Sequence, residues 1–201
     1  MLAIKIIINN LIKTFLLLLF LSLSVGLLTS CSSQSKKADK HSAARYNAQL
    51  GAQYLQMGRL TLANKKLEKA LKQDPDSSRV QHSYALLKQK MGEMDAAKLH
   101  FKKAVKINSK DPNLLNNYGS HLCQTGSYPE AVKQFNLASQ SPFYKTPEFA
   151  YTNAGICLRK MRDDTRAERY FRKALSKNTN FGSALFQMAK LNYDQGSYAK
   201  A

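Results

Sequence analysis

The segment "GSYPEAVKQFNLA" (residues 126–138) contains the pattern that decides the fold. After the glycine at its start, Ala131 and Ala138 are seven residues apart, and the aromatic Phe135 stands between them. At about 3.6 residues per turn, these three side chains lie on one face of an α-helix. The small alanines let this helix approach a neighbour closely, and the large ring fills the space beside them.

Copies of this pattern recur along the chain with a period of 34 residues. Gly58, Gly92 and Gly126 are separated by 34 residues each, and a fourth copy of the pattern follows after 36. A repeat of this length indicates a solenoid, in which each unit buries its apolar face against the next. The alanine, Leu/Phe and alanine positions keep their spacing in all four copies: Ala63, Leu67 and Ala70; Ala97, Phe101 and Ala104; Ala131, Phe135 and Ala138; Ala167, Phe171 and Ala174.

These residues and their period resemble the tetratricopeptide repeat, a pair of antiparallel helices called A and B. The resemblance implies an all-α superhelical solenoid with four full repeats and a fifth that is truncated at Ala201. We expect the turn of the fourth copy to differ, because Arg162 replaces the turn glycine there. The copies occupy residues 44–77, 78–111, 112–147, 148–181 and 182–201, and the small residues at their eighth positions are Gly51, Ala85, Gly119, Gly155 and Ala189.

Residues 1–31 have the features of a targeting signal. Lysines precede an apolar run over residues 15–28, and the run ends in Leu28, Thr29, Ser30 and Cys31. This end resembles the lipobox of bacterial lipoproteins, which implies a signal peptide over 1–30, a lipidated (palmitate-bearing) Cys31 and delivery to the outer membrane. The alternative is an uncleaved anchor, although its apolar core is short for a span of about 20 residues. We expect residues 31–43 to form a polar, flexible tether that carries the lipid.

The chain is strongly basic, with a formal net charge of +18, or +16 after removal of residues 1–30. Such a charge favours anionic partners, for example lipid, cell-wall polymer or an acidic protein. Nucleic acid is a poor candidate for a protein outside the cytoplasm, and no groove-reading or base-stacking motif accompanies the charge. The alternative is a bias of composition that is spread over solvated helix faces.

The sequence contains no motif that is typical of a catalytic site. The four histidines lack metal-ligand spacing, and neither a nucleophile elbow nor a phosphate-binding loop is present. The sequence therefore predicts a binding protein without catalytic residues, metal, cofactor or small-molecule substrate.

Polar residues recur at the sixth position of each A helix. In the tetratricopeptide family the A helices form the concave wall, so these side chains are expected to face a groove, and carboxamides suit the backbone of an extended peptide. The alternative is that they are ordinary solvated positions. The family's clamp for carboxylate tails is absent, because Ala48 with Ala52 and His82 with Leu86 stand at its positions. The predicted groove residues are Gln49, Ser83, Asn116, Asn117, Asn153 and Gln187.

Two cysteines remain if Cys31 is lipidated. Cys123 and Cys157 are expected on adjacent, parallel A helices that meet through opposite faces, and an offset of two positions turns the thiols toward each other. A disulfide is therefore predicted, as suits an oxidising compartment. Two buried free cysteines are the alternative.

Residues 114–157 resemble the type IV pilus biogenesis and stability lipoproteins called PilF or PilW. The similarity lies in the "NNYG" of 116–119, in both cysteines and in the linker that contains Pro142 and Tyr144. It implies an outer-membrane pilotin that binds the pilus secretin, supports its localisation and multimerisation, and so allows pilus assembly and twitching motility. The rings of Phe143, Tyr144 and Phe149 could contact the partner or pack between repeats. The rival functions are a scaffold lipoprotein that docks cell-wall enzymes and a general envelope adaptor for other periplasmic or outer-membrane proteins.

Overall fold

The computed structural model describes residues 30–196 and the single residue Lys13, with the side chains of Lys13 and of residues 39–196. Apart from Lys13 and Ser30, the predicted signal peptide lies outside the described residues, as does helix B of the fifth repeat. The described chain is all-α and its helices form antiparallel pairs, which confirms the predicted solenoid. The helices are α1 (Ser30–Gln56), α2 (Leu60–Gln73), α3 (Ser78–Lys90), α4 (Met94–Ile107), α5 (Pro112–Gln124), α6 (Tyr128–Ser139), α7 (Pro147–Lys160), α8 (Asp164–Lys177) and α9 (Gly182–Asp194).

Glycines at the eighth position of the first, third and fourth repeats let α1, α5 and α7 lie directly against their own B helices. A Cβ atom added to Gly51 would lie 2.5 Å from Cγ of Leu67, and one added to Gly119 would lie 2.8 Å from Cε1 of Phe135. Both distances are far below the optimal carbon–carbon separation of about 3.5 to 4.0 Å. The large residue at the twenty-fourth position therefore fills the space inside its own repeat as well as the space between repeats.

The turn of the fourth repeat keeps the geometry of the others, which corrects the expectation based on Arg162. Arg162 adopts a φ of 59°, close to the 71° of Gly58 and the 83° of Gly92. The closing hydrogen bond is also kept, because the amide of Asp163 donates to the carbonyl of Leu158 over 3.0 Å, as Arg59 does to Tyr54 over 2.9 Å in the first repeat. The tightly packed helices impose the left-handed conformation at a cost of about 1 to 2 kcal/mol.

Helix α1 runs through the segment that was predicted to be a flexible tether, so that prediction is wrong for the backbone from Ser30 onward. No glycine or proline interrupts residues 30–50, and the helix of the first repeat can therefore extend backward. Packing begins at Ala44, which is fully buried, whereas the side chains of residues 39–42 are exposed. A side-chain hydrogen bond of 2.6 Å between His41 Nδ1 and Asp74 Oδ2 joins the additional turns to the first repeat.

The contacts between helices separate an inner from an outer layer. The A helices pack against one another in the pairs α1–α3, α5–α7 and α7–α9, and side-chain hydrogen bonds join α3 to α5. In the described part of the chain, no two B helices pack to the extent of those three pairs. Each B helix instead packs between its own A helix and the A helix that follows. The A helices (α1, α3, α5, α7 and α9) therefore form the inner, concave wall, and the B helices (α2, α4, α6 and α8) form the outer, convex face. Within residues 30–196, no helix is both long and apolar enough to cross a membrane.

Candidate partner-binding groove

Side-chain hydrogen bonds join neighbouring A helices across the predicted ladder. Nδ2 of Asn117 donates to Nε2 of His82 over 3.0 Å, and Nδ2 of Asn153 donates to Oδ1 of Asn116 over 3.0 Å. In both pairs the fifth position of one A helix meets the sixth position of the next. The ladder therefore fixes the spacing of α3, α5 and α7, a role that the sequence did not predict.

A second set of bonds lies near the carboxyl ends of the same helices. Nε2 of Gln89 donates to Oε1 of Gln124 over 3.0 Å, which joins α3 to α5. Arg159 pairs with Asp194 and joins α7 to α9 at the corresponding positions. The two sets of bonds join α3, α5, α7 and α9 into one surface, which preorganises that part of the concave wall for a partner.

His82 is neutral in this arrangement. Its Nε2 must carry a lone pair to accept from Asn117, so the proton resides on Nδ1. Burial lowers the pKa of His82, against the opposing effect of the Asp111 carboxylate. A neutral acceptor at this position keeps the wall between α3 and α5 free of an additional positive charge.

The ladder residues keep hydrogen-bonding capacity for a partner. Oδ1 of Asn117 and Oδ1 of Asn153 accept no hydrogen bond from another described residue, and neither oxygen is buried without a partner. Gln49 is exposed, and Ser83 and Gln187 are partly exposed. These three side chains take no part in the bonds between A helices within residues 39–196. Their exposure leaves these three side chains accessible to an extended peptide.

A cleft of about 520 Å³ lies on the concave wall and spans three repeats. Two partly buried leucines contribute its apolar surface, and three amides and one ammonium group contribute the rest. The sequence analysis missed this cleft, because its residues stand at the ninth, twelfth and thirteenth positions rather than at the sixth. It is lined by Leu55, Gln56, Leu86, Gln89, Lys90 and Gln124.

The structure joins Cys123 and Cys157 in a disulfide between α5 and α7, with Cα atoms 5.7 Å apart. That separation lies within the usual range for a disulfide. Cys157 is fully buried and Cys123 nearly so. The bond lies beside a smaller cleft of about 140 Å³, which also contains Asn153 of the ladder.

The three linker rings have different surroundings. Tyr144 is buried against Leu115, Ala138 and Ala150, so it packs between the third and fourth repeats and is not available to a partner. Phe149 is half-exposed and meets the ring of Phe181 edge-on, with centroids 4.7 Å apart. The side chain of Phe143 remains 83% exposed beside an apolar cleft of about 280 Å³. Among the three linker rings predicted to contact a partner, Phe143 is therefore the most exposed to solvent.

Comparison with known proteins places the fold in a family. The tetratricopeptide repeat family matches residues 78–111 and 150–179. The type IV pilus assembly protein PilF of Pseudomonas aeruginosa is 34% identical over 178 residues, which cover 88% of this chain and 71% of that protein. The chain belongs to the PilF/PilW family of tetratricopeptide-repeat proteins.

Solved structures of PilF/PilW proteins agree with this assignment. A structure of Pseudomonas aeruginosa PilF has a TM-score of 0.75 at 32% identity and covers 81% of this chain and 73% of its own. The structure of PilW, described as a widely conserved type IV pilus biogenesis factor, has a TM-score of 0.74 at 28% identity, with coverage of 79% and 72%. The PilF/PilW family consists of repeat scaffolds that are not enzymes, which confirms the prediction of a non-enzymatic protein. Among the described residues, no group of histidine, cysteine and acidic side chains could hold a metal ion.

Proposed function

We propose that this protein is an outer-membrane lipoprotein that acts as a pilotin in type IV pilus biogenesis. Its groove binds the pilus secretin and supports the localisation and multimerisation of that protein, and hence pilus assembly and twitching motility. The observation that carries the proposal is the similarity to a type IV pilus assembly protein over 88% of the chain. The lipid on Cys31 provides the location, and the solenoid provides the binding surface.

The cleft on the concave wall suits an extended segment of the secretin. Its leucines can bury an apolar side chain, at about 25 cal/mol for each Å² removed from water. Gln56 and Gln124 are exposed at its edges and can both donate to and accept from a peptide backbone. Lys90 offers a positive charge to an acidic residue of the partner.

The proposed pilotin role is tested with an immunoblot of membrane fractions for denaturant-resistant secretin multimers. We expect the multimers to be lost when the gene is deleted, to return with the wild-type chain and to remain absent from the outer membrane with Cys31→Ala. A Gln56→Trp variant, which fills the cleft, should also fail, whereas Gln53→Trp on the same helix should complement because Gln53 is exposed outside the cleft.

Multimers that persist at the outer membrane without the protein would contradict the pilotin role. In that case a role as a scaffold lipoprotein that docks cell-wall enzymes would be favoured over the pilotin role. The excess positive charge favours the scaffold role, and altered cell-wall cross-linking on deletion would support it.

A further inference from the structure

The B helices carry a basic stripe on the face that points away from the core. The twentieth, twenty-fourth and twenty-seventh positions of the first four repeats are buried, so the twenty-second, twenty-sixth and twenty-ninth positions lie on the opposite face of helix B. Eight of these twelve outward positions in the first four repeats hold a lysine or arginine, and none holds an acid. The eight residues, called the convex stripe below, are Lys65, Lys69, Lys72, Lys103, Lys106, Lys133, Arg169 and Lys173.

The charges of the convex stripe are available to a partner. All eight side chains are exposed, and none forms an ion pair with an acidic side chain within residues 39–196. Two exposed cations of α8 outside the stripe, Arg166 and Arg172, are by contrast paired with Asp163 and Glu168. The stripe is therefore a surface of one sign, repeated in register from α2 to α8.

We propose that the convex stripe docks the solenoid on an anionic phospholipid bilayer, so that the concave groove faces away from the membrane. A convex surface cannot enclose a small anion, whereas it can lie against a broad one. Seven of the eight residues are lysines, whose compact charge suits many mobile headgroup phosphates better than the paired geometry that arginine favours. The convex stripe lies on the face opposite the groove, so this inference does not depend on whether the secretin is the partner.

The test uses the full chain, reconstituted by detergent removal into two kinds of vesicle, and labels lysines with a membrane-impermeant amine reagent. One kind contains phosphatidylglycerol and phosphatidylethanolamine, and the other is neutral phosphatidylcholine. Mass spectrometry reports the labelling rate of each lysine. The internal controls are Lys90, Lys160 and Lys190, which are exposed on A helices.

In anionic vesicles we expect the lysines of the convex stripe to react about fivefold more slowly than in neutral vesicles, which corresponds to about 1 kcal/mol for each charge at an anionic surface. The rates of the A-helix lysines should stay unchanged. The protection should disappear at about 0.5 M salt, because the Debye length then falls to about 4 Å.

Two triple variants with the same change in net charge distinguish an effect of the convex stripe from an effect of net charge alone. Replacing the stripe lysines Lys69, Lys103 and Lys173 with glutamate should abolish the protection of the remaining stripe lysines. Replacing the A-helix lysines Lys90, Lys160 and Lys190 with glutamate should preserve it. The proposal would be overturned if the stripe lysines reacted at the same rate in anionic and neutral vesicles. It would also be overturned if both variants lost the protection to the same extent.

Discussion

The imidazole of His121 is a buried polar group for which the described structure provides no hydrogen bond. The imidazole is fully buried, both ring nitrogens lack a partner, and its centroid lies 5.3 Å from that of Phe101. The corresponding positions of the second and fifth repeats hold Leu87 and Leu191. The pKa of His121 is lowered, first by burial and then by the nearby Lys98, against the effect of Asp95.

Replacing His121 with leucine is expected to raise the free energy of unfolding by about 1 to 3 kcal/mol, since a buried polar group without a partner is removed. The variant should also weaken the dependence of stability on pH. The unfolded histidine, with a pKa of about 6.5, binds more protons than the folded one, so wild-type stability is lost as the pH falls below about 6.5. Denaturant titrations at about pH 7.5 and 5.5 measure both effects. An unchanged stability difference between the two pH values would contradict this role of His121.

Arg162 and Gly92 occupy equivalent turns and give a matched pair of substitutions. We expect Gly92→Ala to lower the free energy of unfolding by about 1 to 2 kcal/mol, because a Cβ is strained at a positive φ. Arg162→Gly relieves that strain but adds freedom to the unfolded chain, so it should raise stability by at most about 1 kcal/mol. Thermal unfolding of both variants measures the effects. If Gly92→Ala were as stable as the wild type, the left-handed turn would not be the constraint argued above.

At the scale of helices, the sequence predicts the packing of A against B helices, because that packing depends on residue spacing within one repeat. The alanines, the large residue at the twenty-fourth position and the turn glycines determine how A and B helices pack, and the structure agrees with them. The hydrogen bond from Asn117 to His82 could not be predicted, because its two residues lie 35 positions apart and depend on how far α5 is shifted along α3. Tyr144 is buried by residues of three helices, α5, α6 and α7, whose approach depends on the linker itself, so its exposure could not be judged from sequence either.

The disulfide is the strongest single link proposed between α5 and α7. Replacing Cys123 and Cys157 with serine is expected to lower the free energy of unfolding by about 3 to 4 kcal/mol, from the entropy of a loop of about 34 residues. Adding a reductant to the wild-type protein should produce a similar loss, and adding it to the double variant should have no effect. Non-reducing mass spectrometry of protein from an oxidising compartment that finds both thiols free would contradict the link.

At the scale of the whole molecule, the two faces of the solenoid differ in chemistry. The concave wall is rich in amides, and α5 at its centre contains no lysine, arginine or acid. The convex face carries the unpaired lysines of α2, α4 and α8. One face thus suits a peptide segment and the other an anionic surface. The overall charge alone could not predict this division, because it depends on which repeat positions point outward.

The central claim is that the concave groove binds the secretin, and photo-crosslinking in piliated cells tests it most directly. A photoreactive amino acid is placed at Gln56, Lys90 or Gln124 in the cleft, and at Lys69 or Lys103 on the convex face as controls. An immunoblot then detects adducts that contain the secretin. The account predicts adducts from the cleft positions and none from the convex positions. Adducts from the convex positions alone, or none from any cleft position, would contradict it.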